Sequence, residues 1–295
     1  MSCATTMDQV ARFTTDAVGL ERIFRFLQAI VQIISSYPFA LDLLLQLLTL
    51  TTPLPPSPSA TRTILQQLHQ RLGLARRYFR LFRSVDSFHA ANKLYAGILS
   101  PITTTTAPTT RAWLDVLART CNGMWFLLDA ATVLEALQVP GLRLWSPAWE
   151  RVLAVEAQRF WLFGLACGAL SGVLRMRELW TETSSSVAPT AAAAAADGRR
   201  DEGEKQAAGT QSDKVSAMTT ANEDVSWSGR IAQVRRKAPG LMRSTFANAL
   251  DVVVPGSVIG WVKLGPGPVG VAMLVTTYLT GMEAWERCGR EVSGK

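Results

Sequence analysis

The sequence predicts an all-α protein in which amphipathic helices accompany one or two hydrophobic membrane helices and a disordered linker. Apolar residues recur at three- and four-residue spacing along most of the chain, as on one face of an α-helix. Hydrophobic residues make up 48% of the sequence and charged residues only 18%, with a mean hydropathy of +0.15. Average proteins carry about 25% charged residues. Because the apolar excess is concentrated in a few long stretches, we expect contact with a membrane.

The N-terminal region, residues 1–148, is predicted to consist of amphipathic helices. Asp8–Ser36 places leucines and isoleucines on one face and charged residues on the other. Phe39–Leu50 is nearly all apolar but too short to span a bilayer, which requires about 20 residues, so a buried or interfacial helix is expected there. Arg111–Val139 is predicted to pack on the first two helices. Proline- and threonine-rich loops are predicted between these elements, at Thr51–Ser59 and Ser100–Thr110.

The segment Thr61–Leu94 has the strongest local pattern, an apolar face beside a cluster of arginines. Such a helix can lie in the headgroup plane of an anionic phospholipid membrane, with phenylalanines in the acyl boundary and arginines on the phosphates. The same pattern is typical of a helix that packs its apolar face on a neighbour and solvates its arginines, and the pattern alone leaves both interpretations open. The predicted membrane-insertion residues are Leu68, Leu72, Arg76, Arg77, Phe79, Arg80, Phe82 and Arg83.

Residues 149–180 form the first candidate membrane helix. Phe160–Leu174 contains no charged residue, which favours a transmembrane or deeply inserted helix over a soluble core helix. Gly164, Gly168 and Gly172 recur every four residues. In lipid this spacing allows close approach between helices, so these glycines are predicted to mediate helix packing, either between two copies or within one copy.

The remaining chain is divided into two further regions. Residues 181–228 contain an alanine run and mixed charges with few large apolar residues, which predicts a disordered linker. Residues 229–295 begin with a basic segment that leads to the second candidate membrane helix, predicted over about Val269–Trp285.

Catalytic chemistry is not indicated. The sequence lacks phosphate-binding, dinucleotide-binding, nucleophile-elbow and zinc-protease motifs, so we expect no enzyme activity, cofactor or metal. The four cysteines are scattered without paired spacing. Four acids lie in apolar surroundings and are interpreted as helix-face or interface carboxylates more readily than as buried acids: Asp42, Asp129, Glu156 and Asp251.

The net charge of +7 is compatible with nucleic acid or with an anionic membrane surface. Nucleic acid is disfavoured, because the basic residues fall on helices whose other face is strongly apolar. The N-terminus lacks the basic and apolar regions of a secretory signal.

Five segments, in order, resemble the peroxin-11 family in its filamentous-fungal form. The most recognisable is LGLARRYFRLFRSVDSF at Leu72–Phe88, which is similar to the family's basic amphipathic helix. The long linker and the sequence VAMLVTTYLTGM depart from the family pattern and place the chain among its divergent members. The other four segments are Asp8–Gln28, Asn122–Leu134, Glu156–Leu170 and Ala247–Leu264.

The resemblance implies a protein of the peroxisomal membrane with its N-terminal helices facing the cytosol. Such a protein would elongate peroxisomes and support their proliferation and fission by inserting the basic helix and associating with itself. The implied partners are an anionic phospholipid membrane, further copies of the chain, and a dynamin-related fission GTPase with its adaptors. A membrane pore or metabolite channel and a passive tether or scaffold are the alternatives.

Overall fold

The chain folds as helices in a computed structural model that describes residues 3–51, 57–99, 109–139, 141–185, 234 and 238–294. The described residues contain no strand, which confirms the all-α prediction. The helices are α1 Cys3–Thr15, α2 Ala17–Ser36, α3 Pro38–Thr51, α4 Pro58–Tyr78, α5 Arg83–Leu99, α6 Thr110–Ala131, α7 Val133–Ala136, α8 Pro147–Ser185, α9 238–251, α10 Val253–Ile259 and α11 Pro266–Val292.

Two compact units are present, one formed by Met1–Ser171 with Arg243–Lys295 and the other by Gly172–Met242. In the first unit, α2 packs against α4 and α11, and α5 packs against α6. The chain ends also meet, because α1 lies along α11: the Gln9 side chain donates a hydrogen bond to the Trp285 carbonyl at 2.9 Å. The N-terminal and C-terminal helices therefore build one core.

Two apolar clusters fill the first unit. One is centred on Trp125 and Trp161, whose rings stack with centroids 4.5 Å apart and an interplanar angle of 7°. The second joins α2, α3 and α4 and contains Val31, Leu41, Leu65 and Leu72. The second cluster fixes α4 against α2 at the level of the predicted insertion segment.

The predicted helix Thr61–Leu94 is two helices. Ser57 caps the start of α4 by accepting a hydrogen bond from the Ala60 amide, and Pro58 occupies the first turn, where a missing N–H costs nothing. α4 then ends at Tyr78 and α5 begins at Arg83. Between them the backbone tightens into short-range hydrogen bonds, such as Arg83 N–H to Arg80 C=O at 3.0 Å. The break falls inside the arginine cluster.

The other helix boundaries differ less from the predicted ones. The predicted helix Arg111–Val139 is α6 followed by the short α7, and α8 continues to Ser185, so the first residues assigned to the linker are helical. The rest of the predicted linker lies outside the described residues, as do the basic residues Arg235, Arg236 and Lys237 and most of both predicted loops.

Among the described residues, α8 is long and apolar enough over Pro147–Thr181 to cross a membrane. α2 and α3 meet this criterion only as a pair, which is bent by 102° at Tyr37. The C-terminal candidate Val269–Trp285 lies within α11 and does not meet it. α11 instead buries Val269, Met273 and Thr276 in the first unit.

Candidate membrane-contact site

The site is built around the buried end of α4. The Arg76 guanidinium donates hydrogen bonds to Oε1 of Glu21 from Nε at 3.1 Å and from Nη2 at 2.9 Å. Its Nη1 donates to the side-chain amide oxygen Oε1 of Gln28 at 2.7 Å. Burial is the largest influence on the pKa of Arg76 and lowers it, while the Glu21 carboxylate opposes this effect. Arg76 therefore connects α4 to α2 inside the protein.

The next arginines turn toward α6. Asp129 accepts a hydrogen bond from Nη2 of Arg80 at 3.0 Å, and its other oxygen lies 3.3 Å from Nε of Arg77. The Arg80 guanidinium also lies over the Trp125 ring, 4.9 Å from the centroid, and Arg83 lies over Phe126 at 5.2 Å. Cation–π contacts of this kind stabilise a guanidinium that has lost its water. All four arginines of the motif therefore contact partners within the protein.

A second buried charge cluster links the two ends of the chain. Arg25 on α2 pairs with Asp251, which is 226 residues away at the end of α9. The hydroxyl of Thr276 on α11 donates to the same carboxylate at 2.7 Å. The Arg25 guanidinium also lies over the Trp161 ring, 5.9 Å from its centroid. Buried charges are tolerated when they are paired and hydrogen-bonded in this way.

The outward side chains, in contrast, are apolar. Phe39 on α3 is 81% exposed and Leu50 is 83% exposed, and Phe82 at the break between α4 and α5 is 81% exposed. α2 also buries polar side chains and exposes apolar ones: it buries Glu21, Arg25 and Gln28 but exposes Phe26 and Leu27. Soluble proteins place charges outside, whereas charged residues at membrane depth face the protein interior and pair there. Further large exposed apolar side chains on α3 to α5 are Leu43, Leu47, Ile64, Leu68, Tyr78, Val85, Leu94, Tyr95 and Leu99.

The predicted insertion residues are thus divided between two environments. Leu68, 43% exposed, and Phe82 face outward, while Leu72 is buried against α2 and α3, and the Phe79 ring packs on Phe24 with centroids 5.5 Å apart. The prediction that Arg76, Arg77, Arg80 and Arg83 share an outward face is corrected, because Glu21 on α2, Asp129 on α6 and the aromatic rings of α6 draw them inward.

Sequence reasoning missed Glu21 and Gln28 as partners of the arginine cluster. Both lie on the polar face that the periodicity of Asp8–Ser36 predicts, but a polar face facing water and one facing another helix have the same periodicity. The interpretation of Asp129 and Asp251 as helix-face or interface carboxylates was wrong, because both are buried and form ion pairs; their position in apolar stretches was the signal for this. Asp42 is exposed, and Glu156 pairs with Arg159 on the surface of α8.

The glycines of α8 have neighbours within the chain. A Cβ at Gly164 would lie 2.8 Å from Oδ1 of Asn122 on α6, and one at Gly168 would lie 3.0 Å from Nδ2 of Asn248 on α9. Gly164 and Gly168 therefore permit close packing inside the first unit. Gly172 lies further along α8, in the second unit.

Within the described residues, no group of three or more His, Cys, Asp or Glu side chains is placed to hold a metal ion. The arrangement offers instead buried, hydrogen-bonded charges and exposed apolar side chains on α3 to α5.

A comparison with protein-family models gives a match over residues 7–285 of the 295 to the family described as peroxisomal biogenesis factor 11 (PEX11). No curated protein and no solved structure gives a significant match. The family acts in peroxisome biogenesis and is associated with the peroxisomal membrane. Since the match covers nearly the whole chain, from α1 to α11, this protein belongs to the PEX11 family of peroxisomal biogenesis factors.

Proposed function

We propose that the chain elongates the peroxisomal membrane, and so supports peroxisome proliferation and fission, by inserting apolar side chains of α3, α4 and α5 into the cytosolic leaflet. The observation that carries this proposal is the exposure of Phe39, Leu50, Leu68 and Phe82 beside an interior that holds the arginines. Membership of the family supports the peroxisomal setting.

The apolar residues provide the energy for insertion. Burying one large apolar side chain contributes about 1.5–3 kcal/mol, so even partial burial of the outward side chains contributes on the order of 5–10 kcal/mol before the cost of ordering. Inserting helices into one leaflet expands that leaflet relative to the other and favours positive curvature. The arginine cluster has a supporting role in this mechanism, because it holds α4 on α2 and α6 while the apolar side chains point outward.

Three partners complete the proposal. Anionic phospholipids attract the chain through its net charge of +7. Association between copies would concentrate inserted helices on one stretch of membrane, and a dynamin-related fission GTPase with its adaptors would then act on the elongated organelle, as the family resemblance implies.

The test changes only outward side chains. The double variant L68S/F82S removes apolar surface at two exposed positions, and Q66S/H89S makes matched changes at exposed polar positions of α4 and α5. Purified full-length protein is added to small anionic vesicles, which are examined by electron microscopy, and both variants are expressed in cells to measure peroxisome length. We expect L68S/F82S to lose most tubulation and elongation while Q66S/H89S keeps both. Normal elongation by L68S/F82S would disprove insertion at these positions.

A further inference from the structure

The first unit contains an open cavity of about 1010 Å³, lined by residues of α2, α4, α6, α7, α8, α10 and α11. This volume matches the largest pockets that bind small molecules, which measure about 300–1,000 Å³. Its lining is polar and cationic: the charged side chains are Arg25, Arg71, Arg76, Arg77, Arg80 and Asp129.

The charges of the cavity do not balance. Two of the lining arginines pair with carboxylates outside the lining: Arg76 with Glu21 and Arg25 with Asp251. Five guanidinium groups therefore face three carboxylates, and the excess positive charge lies on Arg71, which is exposed, and Arg77, which is partly exposed and shares Asp129 with Arg80. Burial lowers the pKa of Arg80 as the largest influence, and the Asp129 carboxylate opposes it.

Hydrogen-bonding capacity is also left over in the cavity lining. Arg25 is 3% exposed and Arg80 is 8% exposed, yet the Nε atom of each is buried without a hydrogen-bond acceptor among the described residues. The Nδ1 atom of His69, which lines the same cavity, is likewise buried and unpartnered. Buried polar groups without partners are rare in folded proteins and point to a missing ligand or ordered water.

Aromatic side chains lie next to the arginines in the cavity wall. The stacked indoles of Trp125 and Trp161 line the cavity beside Arg80 and Arg25. Guanidinium groups match the geometry of phosphate oxygens, to which they donate paired hydrogen bonds. Because the two rings stack on each other and lie under Arg80 and Arg25, the apolar part of a small organic molecule would contact the edges of the indoles. We propose that this cavity binds a phosphate ester, with the phosphate on the arginines and the organic part against the two tryptophans.

Such a phosphate ester can come from two sources, a soluble metabolite or a phospholipid headgroup, and the experiment separates them. Full-length protein in nanodiscs of neutral phosphatidylcholine is titrated with glycerol 3-phosphate in one arm and with short-chain phosphatidic acid in the other. Sodium chloride at matched ionic strength is the control for screening. Thermal unfolding temperature and tryptophan emission are measured, since Trp125 and Trp161 lie in the cavity wall.

Three variants test the assignment. R77Q removes one cavity guanidinium while Asp129 keeps its bond to Arg80, and R62Q removes the same charge from an exposed position of α4 outside the cavity. A136L narrows the cavity without changing charge. A charged hydrogen bond contributes about 1.5–3 kcal/mol, so R77Q should bind roughly tenfold or more weakly than the wild type.

We expect a saturable rise in unfolding temperature with at least one phosphate ester, weaker binding by R77Q and A136L, and affinity within about twofold of wild type for R62Q. A response to glycerol 3-phosphate identifies a soluble ligand, and a response to phosphatidic acid alone identifies a lipid headgroup. The proposal is overturned if neither ester gives a saturable response, or if R77Q and A136L bind as tightly as R62Q.

Discussion

Arg76 and Glu21 lie 55 residues apart in the chain and share two hydrogen bonds inside the protein, from Nε at 3.1 Å and from Nη2 at 2.9 Å. This pair determines which way the arginine-rich segment faces. With Arg76 fixed on α2, Phe82 is left on the outer surface near the end of the same segment. The basic motif is therefore an internal connection between helices with an apolar outer side.

Removing one member of this pair should destabilise the protein. R76A leaves the Glu21 carboxylate buried without its partner, and breaking a buried ion pair in this way costs about 3–5 kcal/mol. We expect a clearly lower thermal unfolding temperature in detergent micelles. R62A, on the exposed side of α4, should have the same unfolding temperature as the wild type.

The double variant E21Q/R76Q, compared with the single variants E21Q and R76Q, measures the energetic coupling between the two side chains. Because it removes both charges and retains groups that can hydrogen-bond, its loss of stability should be smaller than the sum of the two single losses. Additive losses would show that the two side chains do not interact energetically.

Close packing of α8 predicts a second stability effect. In G164A the new Cβ would meet Oδ1 of Asn122 at 2.8 Å, so the Asn122 side chain must move from its place on α6, at a cost of about 1 kcal/mol. In G281A, on α11, the Cβ would meet nothing within 4 Å, and the change should stabilise by about 0.4–1 kcal/mol because alanine restricts the unfolded chain. Thermal unfolding of both variants, with crosslinking in membranes, separates packing within the chain from self-association. Equal unfolding temperatures would contradict this placement of Gly164.

The helices and their two-sided character could be predicted from the sequence, because periodicity reports local geometry. The environment of each face could not. α2 has an apolar and a polar face as predicted, but the polar residues Glu21, Arg25 and Gln28 are buried against other helices together with Val31 of the apolar face. Only the partner helices reveal this, and the pairing of Arg25 with Asp251 spans 226 residues.

The break after Tyr78 had no local signal either. The segment Phe79–Phe82 contains neither glycine nor proline, so the sequence favours an uninterrupted helix there. In the structure, Arg80 reaches Asp129 and Trp125 on α6 just where α4 ends. We attribute the break to these contacts, since tertiary interactions routinely override helix propensity.

The contact between α9 and α11 predicts a dependence on pH. Arg243 donates two hydrogen bonds to the Glu286 carboxylate, each at 2.9 Å, and they hold the pKa of Glu286 below its usual value. A carboxyl group with a lower pKa in the folded state stabilises at neutral pH, and this contribution is lost as pH falls below about 4–5.

We therefore expect the unfolding temperature of the wild type to fall more steeply between about pH 5 and pH 3 than that of E286Q. The difference should be small, since the Glu286 side chain is 45% exposed. Parallel pH profiles for the two proteins would show that the bond contributes nothing measurable.

The attachment to the membrane can be tested on α8, the helix that is long and apolar enough to cross a bilayer. Phe163 and Leu170 are both about half exposed on this helix, so they are expected to face lipid. Wild-type protein in isolated peroxisomes should remain in the pellet after carbonate extraction. In F163R/L170R each arginine placed at membrane depth costs about 2.5–3.5 kcal/mol. A large share of this variant should therefore appear in the supernatant or fail to reach peroxisomes.

The control L142R/L144R introduces the same residues at exposed leucines that precede α8 and lie outside the candidate span. This variant should stay in the pellet, because arginine in the interface or in water costs little. Release of the wild-type protein would show that α8 does not span the membrane. If F163R/L170R stays in the pellet as firmly as L142R/L144R, the two outward side chains of α8 do not face lipid. The apolar side chains of α3 to α5 would then have to hold the protein on the membrane without it.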